Sequence, residues 1–203
     1  MTSARVMQID RHSVGIAARR ALAGGLVVFP TDTVYGLGCN PRDSSAVERL
    51  CSVKNRESKP IPLLCKDFKT AASMVALGEV AERVARTYWP GALTIVAPSR
   101  MEFPAPIQSC SNMLGVRVPN HRLCLQLLGL VGGVLTGTSA NLSGEPACRS
   151  AAEAVAKLGD GVDIILDGGP LTGKESTMVR FDGDKIHVLR EGSVRVPDVE
   201  PSK

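Results

Sequence analysis

The stretch Leu26-Val27-Val28-Phe29-Pro30-Thr31-Asp32-Thr33-Val34-Tyr35-Gly36-Leu37-Gly38 carries the first decision about the fold. Leu26 to Phe29 has the length and β-branched content of a buried strand. Pro30 has no N–H to donate and a fixed φ, so the ladder is expected to stop there. Polar residues follow, Thr31, Asp32, Thr33 and Tyr35, hemmed in by Gly36 and Gly38. Polar groups held at the end of a buried strand are how open α/β sheets present ligand sites. A plain strand-to-loop turn uses the same residue types, and the stretch taken alone leaves both readings open.

Upstream, a helix is expected over about Ser13 to Ala23, closed by Gly24-Gly25. Downstream, Ser45-Ala46-Val47-Glu48 has the form of a capping box, and the helix it opens runs toward Lys54. Apolar runs at Ile61–Cys65, Leu93–Ala97, Leu114–Val118, Val134-Leu135 and Ile164–Leu166 read as strands. Helical spacing recurs at about Lys69–Leu77 and Glu79–Tyr88. Further helices are expected from a cap at Pro119-Asn120 to Leu130, and from a second capping box at Ser150–Glu153 to Gly159. Met178–Phe181 and Lys185–Leu189 flank Asp182-Gly183-Asp184, a hairpin signal. Pro98 to Asn112 should be irregular. Alternating strands and helices predict an α/β sheet layered with helices, and the terminal hairpin argues for a mixed one. With no internal repeat and no linker, a single domain over 1–203 is expected, its tail after about 196 loosely held.

Composition narrows the classes. The 203 residues are 44% hydrophobic and 22% charged, ordinary for a globular protein that buries a substantial core. Only 3% is aromatic, so the core must be aliphatic, and recognition by stacking of single-stranded bases is disfavoured. The net charge of +4 suits anionic ligands without demanding them. The cysteines at 39, 51, 65, 110, 124 and 148 form no CxxC pair, which argues against zinc. Met1 to Asp10 lacks the apolar core of a signal peptide, and no apolar run approaches ~20 residues, so a cytoplasmic protein with reduced thiols is expected.

Polar clusters recur directly after strands or at helix ends: Thr31–Tyr35, Lys54–Lys59, Arg117 with Asn120-His121, Thr136–Ser143, Ser176-Thr177, and Arg190. If these ends converge they line a cleft with hydroxyls and cations, which suits a nucleotide phosphate chain. Each also has a bland reading. Lys54 and Arg56 could answer a helix macrodipole, and Ser139 and Asn141 could be helix caps. Arg117 interrupts an apolar strand and must face solvent, a partner or a ligand. Neither GxxxxGK[ST] nor a post-strand GxGxxG is present, so P-loop and Rossmann sites are disfavoured. Residue chemistry reaches an anion-binding cleft in an α/β domain.

In order, the clusters resemble the YrdC/Sua5 (TsaC) family of threonylcarbamoyl-AMP synthases. The matching stretches are Phe-Pro-Thr-Asp-Thr-Val-Tyr-Gly-Leu at 29–37, Lys-Asn-Arg at 54–56, Trp-Pro-Gly-Ala-Leu-Thr at 89–94 and Val-Arg-Val-Pro-Asn-His at 116–121. Thr-Ser-Ala-Asn-Leu-Ser-Gly at 138–144, Glu-Ser-Thr at 175–177 and Leu-Arg-Glu-Gly at 189–192 complete them. The resemblance implies a twisted, mixed α/β sheet flanked by helices with a large positively charged cleft. It implies a nucleotidyltransferase that condenses L-threonine, bicarbonate and ATP to threonylcarbamoyl-AMP plus pyrophosphate, with Mg²⁺ accompanying ATP. The product would supply the N6-threonylcarbamoyl group of adenosine 37 in tRNA through a partner transferase complex.

Carried over by position, Thr33, Arg117, Ser139 and Ser176 would hold threonine, and Lys54, Arg56, Asn141 and Arg190 would hold ATP. Lys59 and Arg149 carry over less securely, because spacing after Arg56 is one residue short and position 149 is often threonine in the family. The resemblance is to the short, single-domain branch. Two alternatives remain: a non-catalytic module of the same fold binding double-stranded RNA or tRNA, and a carbamoyl-transfer domain like that of hydrogenase maturation proteins.

Overall fold

Val27 to Gly38 folds as an antiparallel hairpin in the computed structural model, which describes residues 4–55, 60–108 and 111–197. The elements in order are β1 (Arg5–Gln8), α1 (Arg11–Leu22), β2 (Val27–Pro30), β3 (Tyr35–Gly38), α2 (Ser44–Val53) and β4 (Leu63–Cys65). Then come α3 (Phe68–Met74), α4 (Glu79–Tyr88), β5 (Leu93–Pro98), β6 (Met113–Arg117), α5 (Arg122–Leu130) and β7 (Val134–Thr136). The chain continues through β8 (Thr138–Ser139), α6 (Ala151–Leu158), β9 (Ile164–Asp167), β10 (Thr177–Asp182) and β11 (Lys185–Arg190). The expected tail after about 196 falls mostly outside the described residues.

The strands form two mixed sheets, one in the order β1-β9-β2-β3-β8 and the other β11-β10-β5-β6-β4-β7. In the first, β1, β9 and β2 run parallel while β3 and β8 are antiparallel additions. In the second, β10 with β5 and β6 with β4 are the parallel pairs. The α/β class and the mixed sheet expected from the alternation are both present, with the strands divided between two sheets.

Strand alternation explains the packing. Val28 and Ile165 point into a large apolar cluster shared with Leu37, Leu63, Ile95, Val116 and the inner faces of α2, α4 and α6. Their neighbours Val27, Phe29, Ile164 and Leu166 point the other way, into a second cluster closed by α1 and α5. A strand covered on both faces needs apolar residues at every position, so β2 and β9 read as continuous runs. Fully burying each such side chain is worth roughly 1.5–3 kcal/mol.

The ladder ends at Pro30 as expected, the last residue of β2, in register with Tyr35. At a strand end proline's missing N–H costs little, and its carbonyl remains available. The structure corrects several other local expectations. The cap of α2 is Asp43, whose carboxylate accepts from the Ala46 N–H at 3.1 Å, so the Ser45 capping box does not form. His121, rather than Pro119-Asn120, caps α5, its Nδ1 accepting from the Cys124 N–H at 3.2 Å. Helix α1 starts at Arg11, two residues before the expected Ser13, behind a reciprocal cap between Asp10 and Ser13. At α6, Ser150 caps as expected, but the Glu153 carboxylate takes the N–H of Arg149, not that of Ser150.

Candidate functional site

The two sheets enclose a cavity of about 520 Å³, within the range of small-molecule sites. On one side it is lined by Thr31, Thr33, Val34, Tyr35 and Gly36 of the β2–β3 hairpin and by Gly137, Thr138 and Ser139 at β8. On the other stand Thr94 and Val96 of β5, Gly115 and Arg117 of β6, and Glu175, Ser176, Met178 and Arg190 around β10 and β11. β8 pairs with β3 so that Ser139 lies in register with Gly36, which brings the hairpin and the 138–141 segment to one wall.

Three hydrogen bonds fix Arg117. Its Nε donates to the Gly91 carbonyl at 2.9 Å, one terminal nitrogen to Thr33 Oγ1 at 3.1 Å and the other to Asp32 Oδ1 at 2.6 Å. Both partners of the ion pair are largely buried, with side-chain exposures of 6% and 14%. Gly91 is placed by necessity: a Cβ there would stand 2.4 Å from the Tyr88 carbonyl. The hairpin tip is itself tied by Thr31, which donates to the Val34 carbonyl at 2.7 Å and accepts from the Thr33 N–H at 3.1 Å.

Ser176 precedes β10, beside β5, because Thr177 and Leu93 are in register. Its hydroxyl lies 2.8 Å from Thr94 Oγ1 and accepts from Arg190 at 3.1 Å. Arg190 also donates to the Ser176 carbonyl and pairs with Glu175 at 3.3 Å. Gly192 makes this possible, since a Cβ there would lie 2.3 Å from the Glu175 carbonyl.

The remaining sequence candidates divide. Lys54 and Asn141 stand behind Ser139 and are not among the residues lining the cavity. Lys54 is 1% exposed, and its Nζ donates to Ser139 O at 2.5 Å, Asn141 O at 2.7 Å and Asn141 Oδ1 at 2.9 Å. Arg149 is exposed and absent from the lining, and among the described residues its backbone is engaged with Glu153 and Leu171. Arg56 and Lys59 lie outside the described residues. Thr31, Thr94, Glu175 and Met178 line the cavity without having been assigned a role from sequence, although Thr31, Thr94 and Glu175 sit inside matched stretches.

Titration behaviour separates the site from the core. Burial pushes the His121 imidazole down, against the pull of Asp32, which favours the neutral ring that caps α5. Burial pushes the thiols of Cys65 and Cys124 up to about 12, so neither is a nucleophile near neutral pH. The arrangement offers cations and oriented hydroxyls around a polar-and-apolar cavity, suited to binding and aligning reactants.

Comparison with known proteins agrees with this reading of the fold. The family model Sua5_yciO_yrdC, described as "Telomere recombination", matches residues 20–192. A protein of Mycobacterium tuberculosis (strain CDC 1551 / Oshkosh) named "Putative threonylcarbamoyl-AMP synthase" is 38% identical over 91% of this chain and 87% of its own length. The "Threonylcarbamoyl-AMP synthase" of Pyrococcus abyssi is 33% identical over 95% of this chain, which spans 58% of that longer relative. The solved structure of P. abyssi Sua5 complexed with L-threonine superposes with a TM-score of 0.86 at 33% identity, over 95% of this chain and 57% of that one. Among the described residues no helix is long and apolar enough to cross a membrane.

Proposed function

The chain belongs to the Sua5/YciO/YrdC family, and on that premise we propose that it condenses L-threonine, bicarbonate and ATP into threonylcarbamoyl-AMP and pyrophosphate. The observation that carries the proposal is Arg117, held rigidly at the wall of a cavity whose other polar groups are mostly hydroxyls. An arginine fork meets a carboxylate in two parallel bonds, and hydroxyls from Thr33, Ser139 and Ser176 read the amine and the side chain of a small amino acid.

Arg190, at the mouth beside Ser176, supports a phosphate end of the same cavity, with Arg56 and Lys59 as further candidates for the triphosphate. The apolar part of the lining, including Val96 and Met178, suits a base. Mg²⁺ would arrive with ATP as part of the substrate. The amine attacks the bicarbonate carbon to give a carbamate, with loss of water. A carbamate oxygen then attacks the α-phosphorus and pyrophosphate leaves with the electron pair of the broken P–O bond. The protein's share is alignment and neutralisation of developing charge, so little acid–base machinery is required. The adenylate is a mixed anhydride, and the reaction class that consumes it is acyl transfer to a nucleophilic amine, in our reading that of adenosine 37 in tRNA by a partner transferase.

The direct test is mass spectrometry of the reaction mixture. A species with the mass of threonylcarbamoyl-AMP should form only when threonine, bicarbonate and Mg-ATP are all present. Adenylate formation without threonine, or none with all three, would contradict the proposal.

A further inference from the structure

We propose that Lys54 is a positioning residue that sets the hydrogen-bond polarity of Ser139, and that it does not hold the nucleotide. The inference rests on the cavity being the threonine site. Lys54 ends α2 and is buried behind the wall, where its ammonium reaches three oxygens of the 139–141 segment. A lysine ammonium only donates, so the Asn141 amide must turn its oxygen toward Nζ. The amide nitrogen then faces the Glu145 carbonyl and donates to it at 2.6 Å.

The same Asn141 oxygen accepts from Ser139 Oγ at 2.7 Å. A serine hydroxyl has one hydrogen. With that hydrogen committed to Asn141, Ser139 shows the cavity only lone pairs.

Thr33, also on the lining, reaches the same state by a separate route. Thr31 gives its hydrogen to the Val34 carbonyl, so in the 3.0 Å contact between the two threonines it is Thr33 that donates. Thr33 Oγ1 also accepts from Arg117. Both hydroxyls therefore accept from a ligand and cannot donate to it. Such hydroxyls receive the N–H and O–H groups of a β-hydroxy amino acid and oppose a phosphate or carboxylate oxygen, which would meet lone pair against lone pair. The Ser139 side of the cavity is thus an amino-acid end, and Lys54 acts there through Asn141.

The test compares L-threonine and a non-hydrolysable ATP analogue by calorimetry on the wild type, Lys54→Met, Asn141→Ala and the double variant. Lys54→Met should weaken threonine about tenfold or more, the loss of charge-assisted bonding to the wall, while the nucleotide stays within about threefold. The double variant should lose little more than the worse single one, because both changes break one relay. Ser139→Ala leaves Lys54 and Asn141 in place, and should reproduce the threonine loss with an unchanged melting temperature. If Lys54→Met fails to fold, Ser139→Ala and Asn141→Ala decide the matter by the same threonine-over-nucleotide criterion. Loss of nucleotide affinity equal to or greater than that of threonine, or additive losses in the double variant, would overturn the assignment alone. A wild-type protein that binds no threonine would remove the functional reading and this inference with it.

Discussion

A guanidinium in an apolar strand survives burial only if its N–H groups are met, and Arg117 is met by Gly91, Thr33 and Asp32. Breaking one side of a buried pair is more damaging than never having built it. Asp32→Asn keeps an acceptor but removes the charge, and should weaken threonine by about tenfold, with the nucleotide little changed. Arg117→Ala should cost threonine about 10–100-fold, more than it costs ATP. Calorimetry with each ligand checks both, and equal losses for threonine and nucleotide would reassign Arg117. A second residue-scale expectation concerns the thiols of Cys39, Cys65 and Cys124, raised by burial to about 11, about 12 and about 12. Their neutral form is favoured in the fold, so their contribution is complete below the ordinary thiol value of 9.0 and is lost as pH rises toward 11–12. Urea midpoints should therefore fall between pH 8 and pH 10.5, and native protein at pH 8.5 should leave Cys65 and Cys124 unalkylated. Rapid alkylation of either in the native state would contradict the burial argument.

At the scale of elements, the cap of α2 gives a clean comparison. Asp43→Ala removes the acceptor for the Ala46 N–H and should cost about 1 kcal/mol, whereas Ser45→Ala should stay within about 0.5 kcal/mol. Denaturant unfolding of the two variants measures the difference, and the reverse order would restore the Ser45 box. The pattern Asp-Ser-Ser-Ala-Val-Glu holds two competing caps, and sequence spacing cannot rank them. Long periodic segments were readable: Glu79–Tyr88 is a helix with those bounds because Val80, Ala81, Val84 and Ala85 make a buried stripe. Among the short or exposed strands β4, β7 and β11 were readable, and β1, β3 and β8 were not. β1 is an edge strand with a mostly exposed pattern, and β8 has two residues, so neither carries a period-two signal. β3, Tyr-Gly-Leu-Gly, was hidden by its glycines, which normally mark turns.

Across the whole molecule, the polar clusters that follow apolar strands do converge, since Thr33, Arg117, Ser139, Ser176 and Arg190 share one cavity. That much was visible as a repeated pattern of strand followed by polar residues. Distances along the chain do not reveal depth, however, and depth separates Lys54 and Asn141 behind the wall from Ser139 on it. Nor does sequence show that Asp32 is spent on Arg117 rather than offered to a substrate. The site is made by two sheets facing each other, so the function proposed here needs both: the first supplies the hairpin and Ser139, the second Arg117, Ser176 and Arg190. The most direct measurement is pyrophosphate release by the purified chain with Mg-ATP and bicarbonate, followed with and without L-threonine. Release should depend on threonine, saturate with it and be largely lost in Arg117→Ala. Release indifferent to threonine, or none under conditions in which the threonylcarbamoyl-AMP synthase of P. abyssi is active, would contradict the proposed function.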